Sequence, residues 1–131
     1  MYLALFMTSE SETALRHFAP DAPKNLHLTV VHVKGVRPVE AILYHEPSLP
    51  VECICLELDE LGPPERRVRA LLMDPTPLLD LRKRVEHLLI RVGISWSREW
   101  PFRPHVSVGR SKTVGEPPRS LTFDSVAWCL E

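Results

Sequence analysis

Residues 103–110 read Arg103-Pro104-His105-Val106-Ser107-Val108-Gly109-Arg110, and their pattern is repeated upstream in Asn25-Leu26-His27-Leu28-Thr29-Val30. Each copy contains a histidine, an apolar residue, a hydroxyl residue and a valine, in that order. Both copies are rich in residues that favour strands. Because side chains alternate between the two faces of a strand, the apolar positions of each copy point into a core, and the histidine and hydroxyl share the opposite face.

The shared face of each motif carries groups suited to phosphate chemistry. Residues two apart on a strand are separated by about 6.6 Å, so an imidazole and a hydroxyl reach one small anion together. A hydroxyl donates to a phosphate oxygen, and a histidine exchanges protons near neutral pH. Two such strands facing each other would place an acid and a base on opposite sides of a phosphorus atom, as metal-free in-line cleavage requires. One such motif arises often by chance, whereas two in the same strand context favour a function.

Length and composition indicate one globular domain, covering residues 1–131. The chain is 44% hydrophobic and 25% charged, which is ordinary for a globular protein with a real core. Its net charge of -1 argues against a long non-specific nucleic-acid track, but allows a small nucleotide or an RNA end. No apolar run reaches the length of a membrane span. Residues 1–7 lack a basic region and are too short for a secretion signal, so we expect a strand there.

The three cysteines do not form the pattern of a disulfide framework, because their number is odd and two of them are only two residues apart. Cys53 and Cys55 share one strand face, and a metal site that combines them with His45 is conceivable. Reduced structural thiols are the more frequent use of such residues, so we predict no metal. Reduced thiols fit a cytoplasmic location.

In the first half of the chain, the sequence predicts a strand, a helix, the first motif strand and a proline-rich connection. By parity, His32 lies on the Leu28 and Val30 face, where we interpret it as a structural histidine. The predicted elements are a strand at 2–7, a helix opened by a capping box at Ser9–Glu12 and ending near Phe18, a strand through Val33, and a short helix at 39–44.

In the second half, the sequence predicts a hairpin, the clearest helix and two further strands. His87 is expected to be exposed on that helix, without a catalytic role. The helix is capped by Thr76, has Pro77 in its first turn, and ends at Gly93. Its apolar stripe consists of Leu78, Leu81, Val85, Leu88 and Val92. The other predicted elements are strands at 51–59, 66–73, 105–110 and 121–130, and a polar loop at 111–119 that could act as a flap.

The paired motifs resemble those of the 2H phosphoesterase superfamily, which includes LigT-like 2′-5′ RNA ligases and cyclic phosphodiesterases. His27-Leu28-Thr29-Val30 and His105-Val106-Ser107-Val108 match the two motifs of that family, and Pro104 and Arg110 resemble its Pro-His-x-Thr-x-x-Arg form. The chain departs from the pattern in two ways. Ser107 replaces the more frequent threonine, and the connection at 34–50 leaves little room for helices common in the family.

This resemblance implies an α+β fold: a bilobal, pseudo-twofold arrangement of two antiparallel sheets that form a central cleft, with helices on the outer faces. It implies a phosphodiesterase whose substrate is a 2′,3′-cyclic phosphate, a cyclic oligonucleotide or an RNA 3′ end. One histidine would protonate the leaving oxygen and the other would activate water or a ribose hydroxyl. We assign His27 as the acid and His105 as the base, and the reverse assignment fits equally well. Thr29 and Ser107 would hold the non-bridging oxygens, so no metal or cofactor is required.

Three further residues are candidates for binding the substrate. Arg110 would either assist the two hydroxyls or only pair on the surface. Trp100 and Phe102 would stack on a base, although core packing is the more frequent use of clustered aromatics. Neither an obligate protein partner nor a membrane is predicted.

Two alternative functions remain open. The first is a nucleotide-binding module that kept the cleft but lost turnover. The second is a 2′-5′ RNA ligase, which runs the reverse of hydrolysis, although the near-neutral charge makes a large RNA partner less attractive.

Overall fold

The computed structural model describes residues 1–34, 48–97, 101–110 and 112–130. The short helix predicted at 39–44 lies outside these residues. Within them, the chain forms two α-helices and six strands. They are β1 (Tyr2–Met7), α1 (Ser9–Phe18), β2 (Leu28–His32), β3 (Val51–Leu61), β4 (Val68–Met73), α2 (Leu79–Val92), β5 (His105–Gly109) and β6 (Ser120–Cys129), with short 3₁₀ turns at Pro64–Arg66 and Thr76–Leu78.

The strands form one closed antiparallel ring in the order β1-β2-β5-β4-β3-β6. Two three-stranded halves, β6-β1-β2 and β3-β4-β5, meet where β2 pairs with β5 and where β3 pairs with β6. The α+β class with antiparallel strands and outer helices is therefore confirmed. The two predicted sheets are joined along both borders, so that the ring has an inner and an outer face.

The two halves repeat the same local pairing. Ala4 lies opposite Thr29 in the first half, and Ala70 lies opposite Ser107 in the second. A register shift occurs directly before each of these alanines. Each half also runs strand, helix, motif strand along the chain, from β1 through α1 to β2 and from β4 through α2 to β5. The ring therefore has the pseudo-twofold pattern that the paired motifs predicted.

Helix α1 begins one residue earlier than its sequence signature predicted. The Thr8 hydroxyl accepts a hydrogen bond from the Ser11 amide at 3.2 Å, so Thr8 is the N-cap instead of Ser9. The helix ends at Phe18, as predicted, and buries Leu15 and Phe18 against the outer face of the ring.

Helix α2 differs from its prediction at its beginning and along its apolar stripe. The Asp74 carboxylate accepts from both the amide and the hydroxyl of Thr76, which is the first residue of the 3₁₀ turn that precedes the helix. Thr76 therefore does not cap the helix, which begins at Leu79. Three turns of 3.6 residues advance about 11 positions from Leu78, so the fully buried residue is Leu89. Leu88 is partly buried against the core, whereas Val92 is exposed. Gly93 ends the helix as predicted, with φ 73°.

The hairpin of β3 and β4 contains a bulge that the alternating sequence pattern did not reveal. Cys55 lies opposite Met73 and Leu58 lies opposite Leu71, so β3 has one extra residue between these pairs. Beyond the bulge the faces exchange, and Leu58 lies on the same face as Cys55, although the two are an odd number of residues apart. The 3₁₀ turn at Pro64–Arg66 delays the start of β4 to Val68.

The core lies between the outer face of the ring and the two helices. It is one cluster in which side chains of all six strands contact those of α1 and α2. Burying each large apolar side chain contributes about 1.5–3 kcal/mol to folding. Among the described residues, no helix is both long and apolar enough to span a bilayer. The largest fully buried side chains are Phe123, Leu3, Leu5, Leu15, Leu28, Leu71, Met73, Leu78, Leu81, Leu89, Leu121 and Val30.

Candidate active site

The inner face of the ring can be identified from strand β1. Leu3 and Leu5 belong to the core cluster beneath the helices. Tyr2, Ala4 and Phe6 alternate with them and therefore point to the opposite, inner face. Since Ala4 pairs with Thr29, the hydroxyl of the first motif also lies on the inner face.

The two motif strands are direct neighbours. Leu28 of β2 lies opposite Val106 of β5 in antiparallel register, and both side chains are fully buried in the core. Continuing this register places His27 beside Ser107 and Thr29 beside His105, with about 5 Å between opposed Cα atoms. All four predicted catalytic side chains are partly exposed. The fold thus brings the two motifs together on one face.

Both imidazoles are held in the same way. The Nδ1 atom of His27 is 2.8 Å from the Asn25 carbonyl oxygen, and the Nδ1 atom of His105 is 2.8 Å from the Arg103 carbonyl oxygen. A carbonyl oxygen only accepts, so each Nδ1 carries a proton and donates it to this bond. In each neutral ring, Nε2 is then the nitrogen without a proton, which can accept one. The two halves present their imidazoles in equivalent tautomers.

The floor of the cleft carries small side chains next to the two hydroxyls. Ala4 and Ala70 are fully buried, yet neither is part of the core cluster beneath the helices. Each lies opposite a motif hydroxyl, Thr29 or Ser107. Both positions next to the motif hydroxyls therefore carry only a methyl group.

The surroundings of the two histidines differ in one respect that the motifs did not indicate. The ring of His27 stacks on Tyr2, with centroids 5.1 Å apart and planes at 29°, and lies 6.2 Å from the ring of Phe6. At the corresponding positions of β4 the chain has Val68 and Leu72. Tyr2, Ala4 and Phe6 alternate with two leucines, but every residue of this strand is apolar or aromatic, so the sequence did not show which set faces the core.

The prediction for His32 was wrong. The register shift between β1 and β2 reverses the parity of the strand, so His32 lies opposite Tyr2 and is exposed instead of sharing the Leu28 and Val30 face. Its ring centroid is 5.7 Å from that of Tyr2. Tyr2 is therefore flanked by two imidazoles, His27 and His32.

A carboxylate lies in the second half of the cleft. Asp59 of β3 is opposite Ala70, and therefore on the face that carries Ser107. An Arg103 guanidinium nitrogen lies 3.2 Å from the Asp59 carboxylate. Both side chains are about half exposed, so the pair contributes little to stability.

The three predicted substrate-binding residues have different positions. Arg110 is exposed directly after β5, where Gly109 turns the chain with φ 68°. Phe102 is partly buried against the core, and the Arg82 guanidinium lies 5.0 Å above its ring. This environment gives Phe102 a packing role. Trp100 lies outside the described residues, and for all three a role in binding stays a prediction.

The polar loop predicted at 111–119 is described from residue 112 onward and contacts both α1 and β4. The Val114 amide donates to the Phe18 carbonyl at 2.8 Å, and Arg69 donates to the Thr113 hydroxyl at 3.4 Å. A groove of about 680 Å³ lies between α1 and this loop, but none of the four motif residues lines it. Its lining includes the carboxylates of Glu10 and Glu116, which would repel a phosphate. The motif face is therefore the better candidate site.

The cysteines are free thiols, as predicted. Burial raises the pKa of Cys53 to about 12, with smaller contributions from the charges of Asp74, Cys55 and Glu52. Burial also raises the pKa of Cys55 to about 11. His45, the third member of the conceivable metal site, lies outside the described residues.

Comparison with known proteins relates this fold to one solved structure in particular. That structure is the crystal structure of E. coli LigT complexed with 3'-AMP, with a TM-score of 0.55. The similarity covers 93% of this chain and 82% of the LigT chain, at 19% sequence identity. No family model matches the sequence, and no curated protein matches it. The chain therefore has a LigT-like fold.

Proposed function

We propose that the protein is a metal-independent phosphodiesterase that uses His27 and His105 as an acid–base pair. Its substrate class would be 2′,3′-cyclic phosphates, cyclic oligonucleotides or RNA ends. The observation that supports the proposal is the matched pair of Nδ1 hydrogen bonds, because they leave Nε2 available for proton transfer on two histidines that belong to neighbouring strands. The LigT structure, whose fold this chain shares, is a complex with 3'-AMP, which supports a small nucleotide as the ligand.

The proposed reaction opens a cyclic phosphate by in-line attack of water. The Nε2 atom of His105 takes a proton from the water, whose oxygen forms a bond to phosphorus. The bond from phosphorus to one ribose oxygen breaks on the opposite side, and protonated His27 gives its Nε2 proton to that oxygen. The product is a phosphomonoester with a free ribose hydroxyl. Proton exchange with solvent then restores both imidazoles.

In this scheme Thr29 and Ser107 stabilise the negative charge of the transition state. Each hydroxyl donates a hydrogen bond to a non-bridging oxygen, beside the histidine of the opposite strand. Donors that are already oriented need no rearrangement when the charge develops, which makes them effective in a partly dehydrated cleft. Each hydroxyl lies opposite an alanine, Ala4 or Ala70, so no large side chain of the paired strand faces it directly.

The test is a panel of 2′,3′-cyclic phosphates and cyclic oligonucleotides, incubated with the purified protein and analysed by mass spectrometry. His27→Ala and His105→Ala are each expected to lower turnover by at least about 10²-fold, and EDTA is expected to have no effect. His87→Ala is the matched control, because His87 is exposed on α2. Full turnover in either cleft variant would reject the proposal.

The same panel separates the alternative functions. Saturable binding of AMP or a cyclic nucleotide without any product would identify a binding module. Joined RNA ends with a 2′-5′ linkage would identify a ligase. In each case the His27→Ala and His105→Ala variants show whether the same cleft is responsible.

A further inference from the structure

The two carbonyl groups that orient the histidines lie outside the strands. Asn25 and Arg103 belong to the segments that lead into β2 and β5, and neither carbonyl is part of the sheet ladder. The orientation of each imidazole therefore depends on what holds its leading segment in place. For His27, the structure shows which side chain fixes this segment.

Arg16 of α1 holds the segment that leads to His27. One guanidinium nitrogen donates to the Ala22 carbonyl at 3.2 Å, and the other donates to the Pro23 carbonyl at 3.0 Å and the Lys24 carbonyl at 3.1 Å. Three consecutive carbonyls before Asn25 thus converge on one planar group. Such convergence is typical of a guanidinium, whose donors are fixed in a fork.

The guanidinium of Arg16 is itself fixed from within its own helix. Glu12, one turn earlier, accepts from Arg16 at 3.1 Å. The Arg16 side chain is 32% exposed, so this part of the network is shielded from bulk water on one side. The planar group therefore has little freedom to turn away from the three carbonyls.

An arginine occupies the corresponding place in the second half. Arg82 of α2 follows β4 at the same distance in sequence as Arg16 follows β1. Its guanidinium lies over Phe102, the residue before Arg103, and donates to the Val30 carbonyl of β2. Glu86, one turn later on the same helix, lies 3.4 Å away. Both halves thus use a helix arginine next to the segment that supplies the orienting carbonyl.

We infer that Arg16 is a positioning residue for His27. It fixes the carbonyls of residues 22–24, so that the Asn25 carbonyl stays in place to accept from Nδ1 and Nε2 remains the proton-transfer atom. The catalytic consequence of this inference rests on the proposed function, but the effect on the imidazole does not. Without Arg16, the Asn25 carbonyl moves relative to the ring, and the Nε2-protonated tautomer becomes populated.

The experiment measures the tautomers of both histidines by ¹⁵N NMR of the imidazole nitrogens, at a pH where the rings are neutral. Arg16→Gln removes the fork and keeps a polar side chain. Arg91→Gln is the matched control, since Arg91 is exposed in the last turn of α2. We expect the Nδ1-protonated tautomer of His27 to lose population in Arg16→Gln only. His105 in the same molecule should be unchanged.

Turnover provides the second readout. Displacing a catalytic group slightly is expected to lower kcat/KM about ten- to a hundredfold in Arg16→Gln, with the loss in kcat rather than KM. If the wild-type protein turns over no substrate but the His27 tautomer shifts as expected, the positioning role stands and the proposed function fails. The two ideas are therefore separable.

Two results would overturn the inference. One is a folded Arg16→Gln variant in which His27 keeps its wild-type tautomer. The other is an equal change at His27 and His105, which would indicate general loosening. If Arg16→Gln does not fold, Arg16→Lys replaces it, because lysine keeps the charge but lacks the planar fork. The same two tautomer results then decide the question.

Discussion

Leu28 lies opposite Val106 where β2 meets β5, and each is the residue between the histidine and the hydroxyl of its motif. Both side chains are fully buried, so the apolar residue of each motif anchors the strand in the core while its neighbours face the cleft. The antiparallel register then sets each histidine next to the hydroxyl of the other motif. One contact thus fixes the relative placement of four polar groups.

The first prediction concerns the two hydroxyls. Thr29→Val keeps the shape of the side chain and Ser107→Ala removes one atom, so neither should disturb the fold. If the hydroxyls stabilise charge on the phosphate, each variant lowers kcat of cyclic phosphate cleavage by about 10²-fold. Steady-state kinetics provide the measurement, with Thr13→Val on the exposed side of α1 as the control. An unchanged kcat in both variants would remove the hydroxyls from the mechanism.

The second prediction concerns the alanines opposite these hydroxyls. Ala4→Leu and Ala70→Leu put three more carbon atoms into a fully buried position of the cleft floor. We expect each to destabilise the fold by about 1–3 kcal/mol through overpacking and to reduce nucleotide binding. Ala14→Leu, exposed on α1, is the control. Denaturation and titration with AMP measure the two effects, and wild-type binding in both variants would show that the floor does not contact substrate.

The motif strands were predictable from sequence because their signal is local. A two-residue period in His27-Leu28-Thr29 and in His105-Val106-Ser107 determines which side chains are buried, and the structure has that alternation. The position of His32 was not predictable in the same way. A bulge opposite the junction of Leu3 and Ala4 reverses the parity beyond it, and a bulge depends on how two strands pair, not on either strand alone.

The aromatic contacts of His27 were missed for a related reason. Every residue of β1 is apolar or aromatic, so its sequence does not distinguish the core face from the cleft face. The ring closure makes that distinction, by placing Leu3 and Leu5 under the helices. The Arg16 network is also non-local, because its three carbonyls become acceptors only when the chain folds back onto α1.

The third prediction is a pH dependence at the beginning of α2. Hydrogen bonds from the backbone and then the side chain of Thr76 lower the pKa of Asp74 below its usual 3.8. A lowered native pKa means that the stabilisation is complete above the usual carboxyl pKa and is lost as the pH falls through the native value. Asp74→Asn is therefore expected to have a lower Tm than wild type at pH 7.

The measurement for Asp74 is a series of thermal melts from neutral to strongly acidic pH. The difference in Tm between wild type and Asp74→Asn should shrink as the medium becomes acidic. Asp124→Asn, at an exposed position of β6, is the control and should show no comparable trend. A constant difference between wild type and Asp74→Asn at every pH would contradict a role for the carboxylate charge.

The fourth prediction concerns Cys53, which is fully buried opposite Leu121 where β3 meets β6. Burial raises its pKa from 9.0 to about 12. Below pH 9 the thiol is protonated in both states, so its contribution to stability is complete. Between about pH 9 and 12 the unfolded chain loses the proton while the folded chain keeps it, so stability falls.

Cys53→Ala is expected to cost about 1 kcal/mol at pH 7, and that cost should shrink on going from pH 8 to pH 10. Urea denaturation at both pH values measures it, with the partly exposed Cys129→Ala as the control. A cost for Cys53→Ala that is equal at both pH values would show that the buried thiol does not resist ionisation.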